Sequence, residues 1–140
     1  PGKVFATPGW RVIKDRGSLL IEPVQEAVKP LLEIKEHPYT PDFMIPRNKA
    51  TACFDADKLQ HPLSLRLCRQ GDSFVPFGMK GRKKVSDYLT DRKFSILHKE
   101  RQWVLCCGDD IIWLVGERVD NRFRIDEKTR KVLVVSTIDQ

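Results

Sequence analysis

Basic residues are concentrated in one quarter of this 140-residue chain. The segment from Arg66 to Arg101 holds ten lysines and arginines against four acidic residues, so its net charge of +6 equals that of the whole chain. Phosphate binding by nucleic-acid-binding proteins requires such a cluster, because each neutralised phosphate releases condensed counterions. The cluster therefore favours a nucleic-acid partner, and a solvated charged face is the alternative.

The pattern of residues 83–93 predicts a helix that begins within the basic segment. Lys83 and Lys84 then fall in its first turn and Asp87 and Asp91 lie further along, against the preference of the helix dipole. A phosphate at this helix start would meet backbone N–H groups and lysines together, which would offset the cost. The predicted phosphate site consists of Lys80, Arg82, Lys83, Lys84 and the helix start.

Aromatic and glycine residues accompany these cations. Phe74, Phe77 and Tyr88 are candidates to stack on bases, and core packing is the alternative for each of them. Residues 78–81 match the G-x-x-G loop of KH domains. The alternative is a glycine-rich turn, in which Gly78 shapes the backbone and contacts no ligand.

The four cysteines have no spacing typical of a metal site. Cys53, Cys68, Cys106 and Cys107 form no C-x-x-C pair, and no histidine lies at ligand spacing, so we predict no metal site. Unpaired cysteines in apolar runs pack as small hydrophobic residues and indicate a cytoplasmic protein. An enzyme that uses Cys106 or Cys107 as a nucleophile is a third, distant alternative.

No catalytic residues are predicted. The chain has no G-x-x-x-x-G-K-[ST] loop, no H-E-x-x-H and no G-x-S-x-G. The acidic pair at residues 109–110 lies in an expected turn, where aspartate is common. No apolar stretch approaches the length of a membrane span, so no membrane partner is expected.

The elements that must position these residues are mainly strands. In the first third of the chain, Trp10–Lys14 and Ser18–Glu22 read as a hairpin, and VKPLLEIKEH is a third strand that Pro30 restricts to an edge or a bulge. The proline-rich segment HPYTPDFMIPRNK reads as a loop. We therefore predict a hairpin segment with a linker at residues 1–50 and a domain at residues 51–140.

The second part alternates apolar and polar residues. Further strands are predicted at TACFD and SLRLC, in WVLCCGDDIIWLVG as a hairpin turning at residues 108–110, and in RKVLVVSTI. With one or two short helices, this indicates an α+β fold with antiparallel pairing.

The run PLSLRLCRQGDSFVPFGMKGRKKVSDYLTDRK, followed by IIWLVGERVDNRFRI, resembles the C-terminal domain of bacterial tRNA(Ile)-lysidine synthetase. The resemblance covers about residues 52–135. The matching positions are Arg66, Gly71-Asp72, Phe74, Pro76, Gly78-Met79, Gly81, Lys83-Lys84, Ser86-Asp87, Trp113, Gly116, Arg118, Asp120 and Arg122-Phe123. Ser95 replaces a proline of many relatives, which affects only where the following helix, Ser95–Glu100, begins.

The resemblance implies a layered domain that contains a β-sandwich, similar to part of the phenylalanyl-tRNA synthetase β subunit. It also implies that the parent enzyme is a cytoplasmic ligase that uses ATP and Mg to convert the wobble cytidine of an isoleucine tRNA to lysidine. That chemistry belongs to an N-terminal half with an S-G-G-x-D-S loop, which this chain lacks. No cofactor is expected in this chain, and a homodimer of the parent enzyme stays open.

The implied partner of this chain is tRNA, held by its body and acceptor stem. A-form stems are recognised through backbone and shape, so lysine and arginine near loops suffice. For Arg118 and Arg122, ion pairing with Glu117, Asp120 or Asp126 is the alternative. The predicted RNA-binding residues are Lys80, Arg82, Lys83, Lys84, Arg92, Lys93, Arg66, Arg118, Arg122 and Arg124. A protein-interaction or dimerisation module without RNA contact is the alternative function.

Overall fold

The computed structural model describes residues 28–138 with their side chains, and three earlier strands by their backbone. These strands, β1 (Lys3–Thr7), β2 (Trp10–Asp15) and β3 (Ser18–Pro23), form an antiparallel sheet in that order. The predicted hairpin of β2 and β3 is confirmed by their pairing. The predicted turn positions 16 and 17 lie outside the described residues.

After these strands, nine more strands and two short α-helices follow within residues 28–138. They are β4 (Leu31–Pro38), β5 (Thr51–Asp55), β6 (Leu63–Leu67), β7 (Ser73–Phe74), β8 (Lys83–Lys84), α1 (Val85–Asp91), α2 (Ile96–Glu100), β9 (Trp103–Cys107), β10 (Asp110–Leu114), β11 (Arg118–Val119) and β12 (Lys131–Ile138). Two single turns of 3₁₀-helix cover Ala56–Lys58 and Asn121–Phe123.

Strands β4, β12 and β5 form an antiparallel sheet in that order. The edge position predicted for the strand after Pro30 is confirmed, since β12 is the partner of β4 along all eight residues. Residues 39–50 between β4 and β5 hold neither helix nor strand, as predicted for the proline-rich segment, but the first two residues of that segment, His37 and Pro38, are the end of β4 and pair with β12. β4 precedes the predicted boundary at residue 50, yet its backbone pairing joins it to the later part of the chain.

A further antiparallel sheet, in the order β11-β10-β9-β6, is covered on both faces. Leu105, Cys107 and Trp113 face the sheet of β4, β12 and β5 and pack with Phe54. The opposite face packs against α1. Burial on both faces explains why the run WVLCCGDDIIWLV has no polar alternation.

The face towards α1 carries the second part of the core. Val104, Cys106 and Leu114 pack here against Tyr88 and Leu89 of the helix. The layers are therefore sheet, sheet and helix, which confirms the predicted α+β fold with a β-sandwich. The adjacent cysteines lie on opposite faces of β9, as expected for neighbours on a strand.

Strand β10 contains a bulge at Ile112. Ile111 lies opposite Cys106 and Trp113 lies opposite Leu105, so Ile112 is one extra residue in the ladder. Because of this extra residue, both Ile112 and Trp113 pack on the sandwich side.

The predicted start of the helix at Lys83 is wrong. Lys83 pairs with Phe74 in the β7–β8 ladder, and Lys84 is the extended N-cap of α1. The first turn of the helix therefore carries Asp87 and no lysine, which agrees with the helix dipole. The sequence argument failed because the β7–β8 pairing is a contact between distant residues that no local pattern reveals.

Helix α2 begins directly after Ser95, the first residue of the predicted helix. The Ser95 hydroxyl accepts a hydrogen bond from the His98 amide at 3.3 Å, so serine caps α2 without the proline of many relatives. No helix within the described part of the chain is long and apolar enough to cross a membrane.

Candidate nucleic-acid interface

The loop between β6 and β8 is anchored at its start by Arg66 and Asp72. The guanidinium of Arg66 donates to both carboxylate oxygens of Asp72, at 2.8 and 3.0 Å, and the Arg69 amide donates to the same group at 2.7 Å. Burial alone would raise the pKa of Asp72, but these donors hold it below its ordinary value. Arg66 is thus neutralised by an internal fork-shaped pair.

A second anchor joins this loop to the segment after β11. The fully buried carboxylate of Asp120 accepts from the Val75 amide at 2.9 Å and from Nε and Nη2 of Arg122, each at 3.0 Å. Asp110 lies 3.3 Å from Nη1 of the same guanidinium. Hydrogen bonding to Asp120 raises the pKa of Arg122 above its ordinary value. Arg122 therefore forms an ion pair with Asp120, which the sequence allowed as the alternative to RNA contact.

Two other predicted residues also have acidic partners. Lys83 pairs with Asp91 across α1. Arg92 donates from Nε to Glu117 at 3.0 Å, and this hydrogen bond raises the pKa of the guanidinium. Part of the positive charge predicted for the interface is therefore balanced locally.

Five of the predicted residues are exposed and have, among residues 28–138, neither an ion pair nor a side-chain hydrogen bond to a backbone carbonyl. Arg82 donates only to the Ser73 hydroxyl, at 3.1 Å. Arg118 has none of the acidic partners that the sequence allowed. We call this set the basic surface, and its members are Lys80, Arg82, Lys84, Lys93 and Arg118.

Lys93 has a left-handed backbone conformation, with φ of 69°. It follows the C-cap of α1, where its amide donates to the Thr90 carbonyl and the Phe94 amide donates to the Leu89 carbonyl, both at 2.9 Å. These two bonds define a Schellman motif, whose left-handed position is usually glycine. A lysine at this position is exposed at the cost of backbone strain, which is typical of functional sites.

Tertiary packing brings a further lysine to Arg92 and Arg118. Lys49, from the loop before β5, lines a cavity of about 200 Å³ together with Tyr88, Arg92, Glu117 and Arg118. Three cations and one carboxylate thus meet at one opening. This site could bind an anionic group such as a phosphate.

Comparison with known proteins identifies the architecture. Residues 63–136 match the family model described as the TilS substrate C-terminal domain. The chain belongs to this family.

Relatives of the chain extend the match beyond the family model. A tRNA(Ile)-lysidine synthase of Bacteroides thetaiotaomicron is 60% identical over 142 residues, which cover 99% of this chain and 33% of that protein. One of Parabacteroides distasonis is 49% identical, over 97% of this chain and 34% of that protein. The chain therefore spans about a third of the length of these relatives. The predicted resemblance to the synthetase C-terminal domain is confirmed.

A solved structure shows the same fold. The crystal structure of a TilS C-terminal domain superposes with a TM-score of 0.58 at 18% identity, over 99% of this chain and 92% of the other. At this identity the likeness concerns the fold alone. The similarity to the phenylalanyl-tRNA synthetase β subunit stays a prediction.

All ten predicted RNA-binding residues lie within the part that matches the TilS C-terminal family model. The residue that sequence reasoning missed, Lys49, precedes this part and lies outside the basic segment. Its neighbours Asn48 and Ala50 gave no sign of a role. Only the folded chain shows that Lys49 lies beside Arg118.

The aromatic candidates of this TilS-family domain divide between core and surface. Phe74 is fully buried, and Tyr88 is 7% exposed and packs edge-on against it with ring centroids 5.5 Å apart. Phe77 is 47% exposed and is the one member of the three with its ring accessible to a ligand. Phe74 and Tyr88 therefore pack in the core, which was the alternative to stacking on bases.

The thiols lack the features of nucleophiles. Burial raises the pKa of Cys68 to about 11, and burial also raises the pKa of Cys106. The Cys107 thiol donates to the His61 carbonyl at 3.2 Å. Cys106 and Cys107 are buried in the two parts of the core, where they pack as small hydrophobic residues, as the sequence predicted.

Proposed function

We propose that this chain is the tRNA-binding C-terminal part of a tRNA(Ile)-lysidine synthase. In this role it holds the body and acceptor stem of the isoleucine tRNA while the rest of the enzyme modifies the wobble cytidine. Family membership and the basic surface support the proposal. The observation that carries it is the basic surface, whose five exposed cations have no ion pair within the described residues, while Asp72, Asp91, Glu117 and Asp120 pair with other cations.

The proposed contacts fall into three groups. The basic surface contacts phosphates directly, and Arg124 is also exposed beside it, with Nη1 donating to the Asn121 carbonyl at 2.8 Å. Lys83 and Arg92 can exchange their acidic partners for a phosphate, since one member of each pair, Asp91 and Arg92, is exposed. Arg66 and Arg122 act indirectly, because their internal pairs fix the loop that presents the others.

The other properties of the synthase follow as parts of the same proposal. ATP and Mg are used by the rest of the enzyme, because these 140 residues hold no S-G-G-x-D-S loop. The protein works in the cytoplasm, where its tRNA is found. The Mg ion has no proposed ligands in this chain, since no group of three or more His, Cys, Asp or Glu residues in the described ranges is arranged to hold a metal.

The test is the salt dependence of tRNA binding by the 140-residue chain. Changing Lys80, Lys84 and Lys93 together to alanine should lower the slope of log K against log salt by roughly 2 to 3, at roughly 0.7–0.9 for each phosphate contact. The matched control changes Lys35 and Lys131, exposed lysines of β4 and β12, and should keep the slope. Equal losses from both sets of changes would contradict the proposal.

One observation favours the alternative of an interaction module. Edge strand β4 carries two exposed apolar side chains, Leu31 and Ile34, and Ile138 of β12 is exposed beside them. Glu33, Lys35 and Glu36 interrupt this edge with charges, which protect sheet edges from pairing. Absence of tRNA binding at low salt, together with a concentration-dependent dimer in sedimentation, would favour this alternative.

A further inference from the structure

A groove runs around the edge strand β11 from one face of its sheet to the other. Three adjoining cavities of about 220, 190 and 200 Å³ make up this groove. Phe77 and Val119 line the first two, and Lys49 and Arg118 line the last two. The shared residues make the cavities one continuous surface, which we call the β11 groove.

Phe77 lies in the apolar part of the β11 groove, and hydrogen bonds hold its backbone. Its amide donates to the Val119 carbonyl at 3.0 Å, and the next amide, of Gly78, donates to Oδ1 of Asn121 at 3.2 Å. Gly78 has a φ of 87°, which glycine adopts at no steric cost. These bonds fix the backbone that carries the ring, and 47% of the residue is exposed.

The two ends of the β11 groove differ in chemistry. Around Phe77 the lining is mainly apolar and includes Ile45, Pro46 and Ile125, with Arg124 as its one charged residue. At the other end, Lys49, Arg92 and Arg118 face a single carboxylate, Glu117. An apolar slot beside an excess of positive charge is complementary to a nucleotide, which joins an apolar base face to an anionic phosphate.

We propose that the β11 groove binds an unpaired nucleotide next to the stem of the bound RNA. The base stacks on Phe77, and the adjoining phosphate lies between Lys49 and Arg118. Each cavity is smaller than the ~300–1,000 Å³ typical of sites for drug-sized ligands, which suits one base. A paired base is excluded because its neighbours in the stem cover both its faces. The inference rests on the proposed tRNA binding and adds to it a specific contact with single-stranded RNA.

The test compares two RNA hairpins with the same stem, one blunt and one with a short single-stranded 3′ extension. Stacking of one base corresponds to about a 5- to 150-fold change in affinity. The 140-residue chain should therefore bind the extended hairpin more tightly by a factor in this range. Phe77→Ala should remove this preference and leave binding to the blunt hairpin unchanged, and Phe77→Trp should keep it.

The matched control is Met79→Ala. Met79 is 43% exposed on the same loop, close to the 47% of Phe77, and it does not line the β11 groove. This variant should keep the preference for the extended hairpin. Because both side chains are exposed, both variants should keep the thermal midpoint of the unsubstituted chain.

The possible failures are distinguishable. Equal binding of the two hairpins, or a preference that survives in Phe77→Ala, would overturn the groove inference and leave tRNA binding intact. Absence of binding to either hairpin and to tRNA at low salt would overturn the proposed function and the groove inference with it.

Discussion

Replacing Lys93 with glycine should stabilise the domain and weaken its RNA binding at the same time. Lys93 has a φ of 69°, and a left-handed conformation costs a residue with a Cβ roughly 1–2 kcal/mol. Glycine avoids that cost but loses about 0.5–1 kcal/mol through the greater freedom of the unfolded chain. The net expectation is a gain of about 0.5–1 kcal/mol in the free energy of unfolding, or roughly 2–4 °C in Tm for a domain of this size.

Urea denaturation measures the stability, and a salt titration of tRNA binding measures the lost contact. The slope of log K against log salt should fall by roughly 0.7–0.9 if Lys93 contacts one phosphate. Lys84→Gly is the matched control, since Lys84 is also exposed but has an ordinary extended backbone, with φ of −66° and ψ of 137°. It should lose a similar slope and lose stability. A Lys93→Gly variant that is less stable than the unsubstituted chain would refute the reasoning about backbone strain.

Two further predictions concern the anchors of the loop. Asp120→Ala leaves the Val75 amide without its acceptor and deprives Arg122 of its main partner. The free energy of unfolding, measured in urea, should therefore fall by about 2–4 kcal/mol, which is below the full value for a buried pair because Arg122 is 31% exposed. A fall of less than about 1 kcal/mol would show that Asp110 replaces Asp120 as the partner of Arg122. Asp72 has a lowered pKa, so its pair with Arg66 stabilises the fold fully above the unfolded pKa of about 3.9 and progressively less as the pH falls below it. The stability difference from Asp72→Asn should therefore shrink below about pH 4, and a difference that does not change with pH would contradict this assignment.

The strands were predictable because apolar runs, turn residues and prolines act within a few residues of where they stand in the sequence. The hairpin of β9 and β10 follows from an apolar run broken by Gly108 and Asp109, and the edge position of β4 follows from Pro30. The helix start was not predictable. Lys83 and Lys84 are good helix formers, and only pairing with Phe74 and Ser73, nine and eleven residues earlier, makes them a strand.

The charged residues that remain available were also hidden from the sequence. The sequence counts cations, but the partner of each cation depends on the fold. Arg92 pairs with Glu117, which lies 25 positions later in the sequence. Asp120 pairs with Arg122, while Arg118 stays exposed. Lys49 reaches the interface from before β5. The resemblance to the synthetase family identified the domain, and the structure selected which of its cations face outward.

The single extra residue in β10 sets the phase of the chain that follows it. Trp113 pairs with Val119 and Leu114 with Arg118, so each pair shares one face of the sheet. If Ile112 paired as an ordinary residue of the ladder, Val119 would face the helix and Arg118 would face the sandwich, away from Arg92 and Tyr88. Deletion of Ile112 should therefore remove the bulge and leave both sides of the interface in place, whereas an inserted residue that paired in the ladder between Ile111 and Leu114 would exchange them.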